Sequence, residues 1–123
     1  MSQKILIVED DSFLQGLASS KLSKDGFEVT TASDGDEAIS ILTKMVPDII
    51  LLDLVLPGTD GFGVLKKIRV TETIKTTPVI IFSNLAQDED IKKAKELGAN
   101  DFMIKSNFTL DELVEKIRET LKA

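Results

Sequence analysis

Few residues in this sequence can do chemistry, and most of those are oxygen-bearing. The 123 residues include no Cys and no His. That excludes disulfides, thiolate nucleophiles, Cys-zinc sites and imidazole acid/base or ligand chemistry. Carboxylates, amines, hydroxyls and oxygen-ligated metals remain. The stretch IILLDLVLPGTDG, Ile49 to Gly61, holds the first candidate. A branched apolar run of this kind reads as a strand buried on both faces, where an unpaired carboxylate is very costly. Asp53 therefore belongs at a strand end, facing a partner. Other apolar runs end in the same manner: Glu9 and Asp10 follow KILIV, Ser83 closes PVIIFS and Lys105 closes DFMIK.

The elements that must position these residues alternate along the chain. β-rich runs are predicted over 4–8, 27–32, 48–53, 78–83 and 101–105, each followed by a segment of helical period. Predicted core-facing stripes are Leu14, Leu17, Ala18 and Leu22; Ala38, Ile41, Leu42 and Met45; Leu65 and Ile68; Ile91 and Ala94; and Leu110, Leu113, Val114, Ile117 and Leu121. Asp25-Gly26 and Leu97-Gly98 close helices, while Pro57-Gly58 and Thr77-Pro78 break the chain. Ser12, Asp34 and Thr109 are predicted N-caps, and Thr109 with Glu112 makes a capping box.

This βα alternation predicts an α/β fold: a doubly wound, five-stranded parallel sheet with right-handed crossovers and five helices on both faces. Such sheets bind ligands outside the carboxyl ends of the strands, where strand order reverses. Periodicity alone leaves the orders 2-1-3-4-5 and 3-2-1-4-5 open. The acids favour the flavodoxin-like 2-1-3-4-5, because it makes the first and third strands neighbours and brings Glu9, Asp10 and Asp53 together.

Three carboxylates a few ångströms apart repel by several kcal/mol at an effective dielectric near 20, so a compensating cation is expected. With only oxygen ligands on offer, Mg²⁺ fits best, and it commonly shares its shell with a phosphate. Lys105 can then hold a phosphoryl oxygen as a point charge, and the Ser83 hydroxyl can donate to another. Each residue taken alone has a plainer reading. Asp53 would be a turn or cap residue, Asp11 a favourable charge at a helix start, Ser83 a turn residue and Lys105 a solvated edge charge. Their joint placement is what argues for phosphate chemistry.

Composition bounds the rest. The hydrophobic content of 42% suits one globular domain over 1–123, without linker or repeat. The net charge of −6, with acids and bases interspersed, leaves no basic stripe for direct nucleic-acid binding. No apolar run is long enough for a membrane span, and MSQKILIVEDD does not read as a signal peptide, so a cytoplasmic location is expected.

The motifs ILIVEDD, PDIILLDLVLPGTDGFGVLKKIR, PVIIFSN and GANDFMIK, in this order and spacing, resemble those of a response-regulator receiver domain over essentially the whole chain. The resemblance implies that Asp53 is the phospho-accepting aspartate. It also implies that Asp10, Asp53 and the Val55 carbonyl bind Mg²⁺, with Glu9 reaching the ion through water. Ser83 matches the hydroxyl switch residue, Lys105 the phosphoryl-binding lysine and Phe102 the switch aromatic. The implied activity is Mg²⁺-dependent transfer of a phosphoryl group from a partner's phosphohistidine to Asp53, in a two-component system or phosphorelay. The implied partners are a sensor histidine kinase or histidine phosphotransfer protein. The output would be a change at the surface of the fourth helix, fifth strand and fifth helix. On this reading the domain is no enzyme beyond its own phosphorylation and dephosphorylation.

The sequence departs from the pattern near the site. Ser106 stands where a proline in a cis peptide is usual, and Asn84 where a small residue is usual. Asn84, Val55 and Leu85 line the approach to the acceptor. Two rival readings compete with this one: an interaction module that has lost phosphorylation, and an aspartate-nucleophile phosphatase of the haloacid dehalogenase type. The second wants an Asp-x-Asp pair after the first strand, where this chain has Glu9-Asp10-Asp11-Ser12. The end at Ala123 fits either a stand-alone regulator or a receiver within a longer protein.

Overall fold

The computed structural model describes residues 2–122. Its elements run β1 (Lys4–Val8), α1 (Ser12–Lys24), β2 (Glu28–Ala32), α2 (Gly35–Leu42), β3 (Ile49–Leu52), α3 (Gly61–Val70), β4 (Val79–Ser83), α4 (Asp88–Glu96) and β5 (Asp101–Ile104). A 3-10 turn (Lys105–Asn107) and α5 (Leu110–Lys122) complete the order. The five strands pair in parallel in the order β2-β1-β3-β4-β5, so the arrangement suggested by the acids is the one formed. The central strands are apolar at successive positions because both their faces are covered. Leu6, Val8, Ile50, Leu52, Val79 and Ile81 pack toward α2 and α3. Ile5, Ile7, Ile49, Leu51, Ile80 and Phe82 pack toward α1 and α5. The edge strand β2 carries Glu28, Thr30 and Thr31 and is only partly buried, as one-sided pairing permits.

Helix ends follow local chemistry, with corrections to the expectations. Asp34 and Thr109 cap as predicted: Asp34 accepts from the Glu37 N–H, and Thr109 and Glu112 exchange reciprocal hydrogen bonds. The N-cap of α1 is Asp11, not Ser12; its carboxylate accepts from the N–H groups of Phe13 and Leu14, and Ser12 begins the helix. A carboxylate is favoured there by the helix dipole. Leu17 leaves the core stripe and is 43% exposed, as the buried face of α1 runs through Ala18 and Leu22. Met45 lies past the end of α2, half-buried in the following loop. Strand ends are trimmed: Asp53 sits one residue beyond β3, and Lys105 opens the 3-10 turn rather than closing β5.

Two features fix the layers. At the start of α3, a Cβ on Gly61 would lie 2.2 Å from the Asp53 carbonyl oxygen and 2.5 Å from the Leu54 Cα, so only glycine lets the helix meet the end of β3. At the opposite end of the strands, the Arg69 guanidinium donates to the carbonyls of Gly98 (2.8 and 3.0 Å), Thr77 (2.7 Å) and Lys75 (3.3 Å), and to Asn100 Oδ1 (3.0 Å). Burial pushes the pKa of Arg69 down. This fan of bonds ties the end of α3 to the entries of β4 and β5. Along α4 only Ala94 is fully buried.

Candidate functional site

The site is assembled by extension of the sheet ladder. Val8 pairs with Leu52 in the β1–β3 register, and one step further the Asp53 N–H donates to the Val8 carbonyl at 3.1 Å. On the other side of β1 the Glu9 N–H donates to the Ala32 carbonyl at 3.0 Å. Glu9 and Asp53 are therefore held by backbone bonds, side by side at the switch point, and are 4% and 5% exposed. Asp10, the next residue, is exposed. Carboxylate oxygens of the three lie within 4.8 Å of one another.

Lys105 reaches in from the end of β5. Its ammonium lies 2.6 Å from Asp53 Oδ2 and 2.6 Å from Glu9 Oε1, a bridge between the two buried acids. Burial works against the charged lysine. Its hydrogen bonds to Asp53 and Glu9 outweigh burial and lift its pKa above the ordinary lysine value. Burial raises the Glu9 pKa, against the lowering effect of Lys105 and of the Asp11 N–H that donates to it. The other Asp53 oxygen, Oδ1, accepts from the Val55 N–H at 3.3 Å. Val55 itself is 57% exposed at the rim. Ser83 ends β4 fully buried, and its Oγ accepts from the Leu85 N–H at 3.1 Å. Phe102 is half-buried on β5, paired with Ile81 and packed on the face shared with α2 and α3.

Glu9, Asp10, Asp53, Val55, Ser83 and Lys105 thus lie at one end of the sheet, with Glu9, Asp53 and Lys105 in direct contact. Phe102 stands back from them, beside β4. The donor set fits Mg²⁺: three carboxylates within ligand-sharing distance, no nitrogen or sulfur donor, and one acid open to water. One contributor, Gln15, and one contact, that of Asn84 with Ser106, go beyond the sequence reading. The Gln15 side chain donates to the carbonyls of Glu9 (2.9 Å) and Ala32 (3.1 Å), pinning the loop that carries the acids to α1. Asn84 Oδ1 accepts from the Ser106 N–H at 3.1 Å, joining the two loops that departed from pattern. The signal for Gln15 was weak: its position on the inner side of α1, one turn after the acids. None of the described peptide bonds is cis, so Lys105–Ser106 is trans.

A five-stranded parallel sheet of order 2-1-3-4-5 with acids at its switch point defines a flavodoxin-like α/β domain with an acidic pocket at the carboxyl ends of its strands. The chain belongs to the response regulator receiver domain family, whose family model matches residues 5–118. Among curated relatives, the response regulator PleD of Caulobacter vibrioides is 39% identical over 105 residues, 85% of this chain and 23% of that protein. The DNA-binding dual master transcriptional regulator RpaA of Synechocystis is 34% identical over 119 residues, 97% of this chain and 49% of that protein. The chain spans half or less of the length of these relatives. Among solved structures, the chemotaxis protein CheY4 of Vibrio cholerae aligns with a TM-score of 0.90 at 28% identity, covering 97% of this chain and 98% of that one. The beryllofluoride-activated N-terminal receiver domain of Klebsiella pneumoniae RstA aligns with a TM-score of 0.90 at 29% identity, covering 98% and 100%. The domain is a signalling module and fits a phospho-accepting role; neither rival reading gains support. Among the described residues no helix is long and apolar enough to cross a membrane.

Proposed function

We propose that this domain accepts a phosphoryl group on Asp53 from a phosphohistidine of a sensor histidine kinase or a histidine phosphotransfer protein. The observation that carries the reading is the Lys105 ammonium placed 2.6 Å from both Asp53 and Glu9, a cation fixed beside a buried carboxylate in an otherwise acidic pocket. An Asp53 oxygen attacks phosphorus, the P–N bond to the donor imidazole breaks, and the nitrogen keeps its electron pair. Lys105 leaves its carboxylates to neutralise charge on the transferring group, so the chain's contribution is positioning and electrostatics. Asp10, Asp53 and the Val55 carbonyl would hold Mg²⁺, with Glu9 behind it, and the ion would supply counter-charge for the phosphoryl oxygens. These 123 residues hold no His, so the phosphohistidine lies outside them.

The signal runs through Ser83. Its hydroxyl turns from the Leu85 N–H to donate to the new phosphoryl group, vacating space into which the Phe102 ring turns, and the α4-β5-α5 surface changes for a partner. The domain catalyses nothing beyond its own phosphorylation and dephosphorylation, and works in the cytoplasm. The test is incubation with acetyl phosphate with and without Mg²⁺, followed by intact mass. One phosphoryl group is expected on the wild type with Mg²⁺ only, and none on Asp53→Asn. Equal labelling of that variant would place the acceptor elsewhere.

A further inference from the structure

We propose that Asn84 is a positioning residue for Lys105, acting through the backbone N–H of Ser106; this rests on the phosphoryl-transfer reading above. The turn that begins at Lys105 has little of its own to hold it. Ser106 and Asn107 are exposed, Lys105 is held only through its ammonium, and no side chain caps the turn from Ile104. The first N–H groups of such a turn have no partner within it. Asn84 supplies one: its Oδ1 accepts from Ser106 across 22 residues of sequence, at 3.1 Å. The bonded N–H belongs to the peptide unit that leaves Lys105, so the latch fixes the backbone from which the lysine side chain starts. The other end of the latch is also held, because Asn84 lies between Ser83 and Leu85, which are joined by their own hydrogen bond at 3.1 Å.

The chemistry asks for such a hold. Lysine is a point charge on a flexible four-carbon stem, and electrostatic stabilisation of a transferring group depends on donors fixed beforehand. A stem anchored on an unrestrained backbone would spread the ammonium over positions that miss the phosphoryl oxygens. The two sequence departures thereby explain each other: a proline at 106 would have no N–H to give, and a small residue at 84 no oxygen to receive it.

The test compares ¹⁵N-labelled wild type, Asn84→Ala and Asn84→Asp. In Asn84→Ala the Ser106 amide should exchange with solvent about fivefold faster, the equilibrium weight of one net hydrogen bond. The Lys105 ammonium resonance should broaden, and labelling by acetyl phosphate should slow by about the same factor. Mg²⁺ affinity should hold, since Glu9, Asp10 and Asp53 are untouched. Asn84→Asp keeps an acceptor oxygen and should restore the Ser106 amide and the Lys105 resonance. An Asn84→Ala domain labelled as fast as wild type, or faster, would overturn the proposal and make Asn84 an obstruction in the approach. So would slower labelling with the Ser106 amide unchanged. If the wild type itself takes no phosphoryl group, the phosphoryl-transfer reading fails, while the Ser106 and Lys105 resonances still decide whether the latch holds the lysine.

Discussion

Replacing Lys105 by Met keeps most of the aliphatic stem and removes the ammonium that bridges Asp53 and Glu9. Two buried carboxylates then remain with oxygens within 4.8 Å of each other. At an effective dielectric near 20 and that separation, their repulsion is ~3.5 kcal/mol. Breaking a buried ion pair by removing one partner generally costs about 3 to 5 kcal/mol. The variant has one escape, protonation of Glu9, whose pKa burial already raises and which loses the lowering effect of Lys105. An acid whose folded pKa exceeds its unfolded value holds its proton more tightly when folded. Stability therefore rises as pH falls through the folded pKa, and the gain is complete below the unfolded one. The deficit against wild type should be about 3 kcal/mol at about pH 7.5 without metal and shrink to roughly half near pH 5. With no Trp in the chain, urea denaturation followed by circular dichroism is the assay. Adding Mg²⁺ at neutral pH should recover more stability in Lys105→Met than in wild type, because binding to the folded state alone stabilises it. A deficit that is constant with pH, or below ~1 kcal/mol throughout, would refute the view of Lys105 as the counter-ion of the acidic pair.

Three further outcomes are expected. Asp10→Ala should weaken Mg²⁺ binding, measured by calorimetry, yet raise the urea midpoint of the metal-free domain, because it removes a ligand and a like charge together; normal Mg²⁺ affinity would contradict the ligand assignment. Ser83→Ala should still take a phosphoryl group on Asp53 but lose most phosphorylation-induced amide shifts around Phe102 and α4, and full-sized shifts would remove the hydroxyl from the coupling. Gly61→Ala forces a Cβ against the Asp53 carbonyl at 2.2 Å and should lower stability by about 2 kcal/mol or more, read from denaturation midpoints; an unchanged midpoint would deny the close approach of α3 to β3.

What could be read in advance follows from how local each signal is. The strands were legible because burial on both faces demands unbroken apolar runs, and IILL leaves no other home for itself. Asp53, Glu9 and Lys105 were legible because a charge at the end of such a run needs a reason. The strand order was settled by chemistry, since only 2-1-3-4-5 makes neighbours of β1 and β3 and so gathers the acids. Leu17 misled because four apolar residues share a helical face wider than the part the sheet covers. Ser12 misled because Asp11, one residue earlier, is the better cap. Gln15 and the bond from Asn84 to Ser106 were not legible, because amide groups that bond residues far along the chain, Ala32 and Ser106, do not announce their partners.

The fan of carbonyls around Arg69 has a mechanical consequence. It grips the segment after α4, at Gly98, while the helix itself has only Ala94 fully buried along its length. The helix is then a beam clamped at its far end from the acidic pocket. Nine residues of helix measure ~13.5 Å, so a tilt of about 10° displaces the tip at Asp88 by about 2 Å and the root at Glu96 hardly at all. A small movement in the loop after Ser83 would therefore reach the end of the beam that swings most freely, and leverage, rather than a rebuilding of the core, would set how far the helix travels.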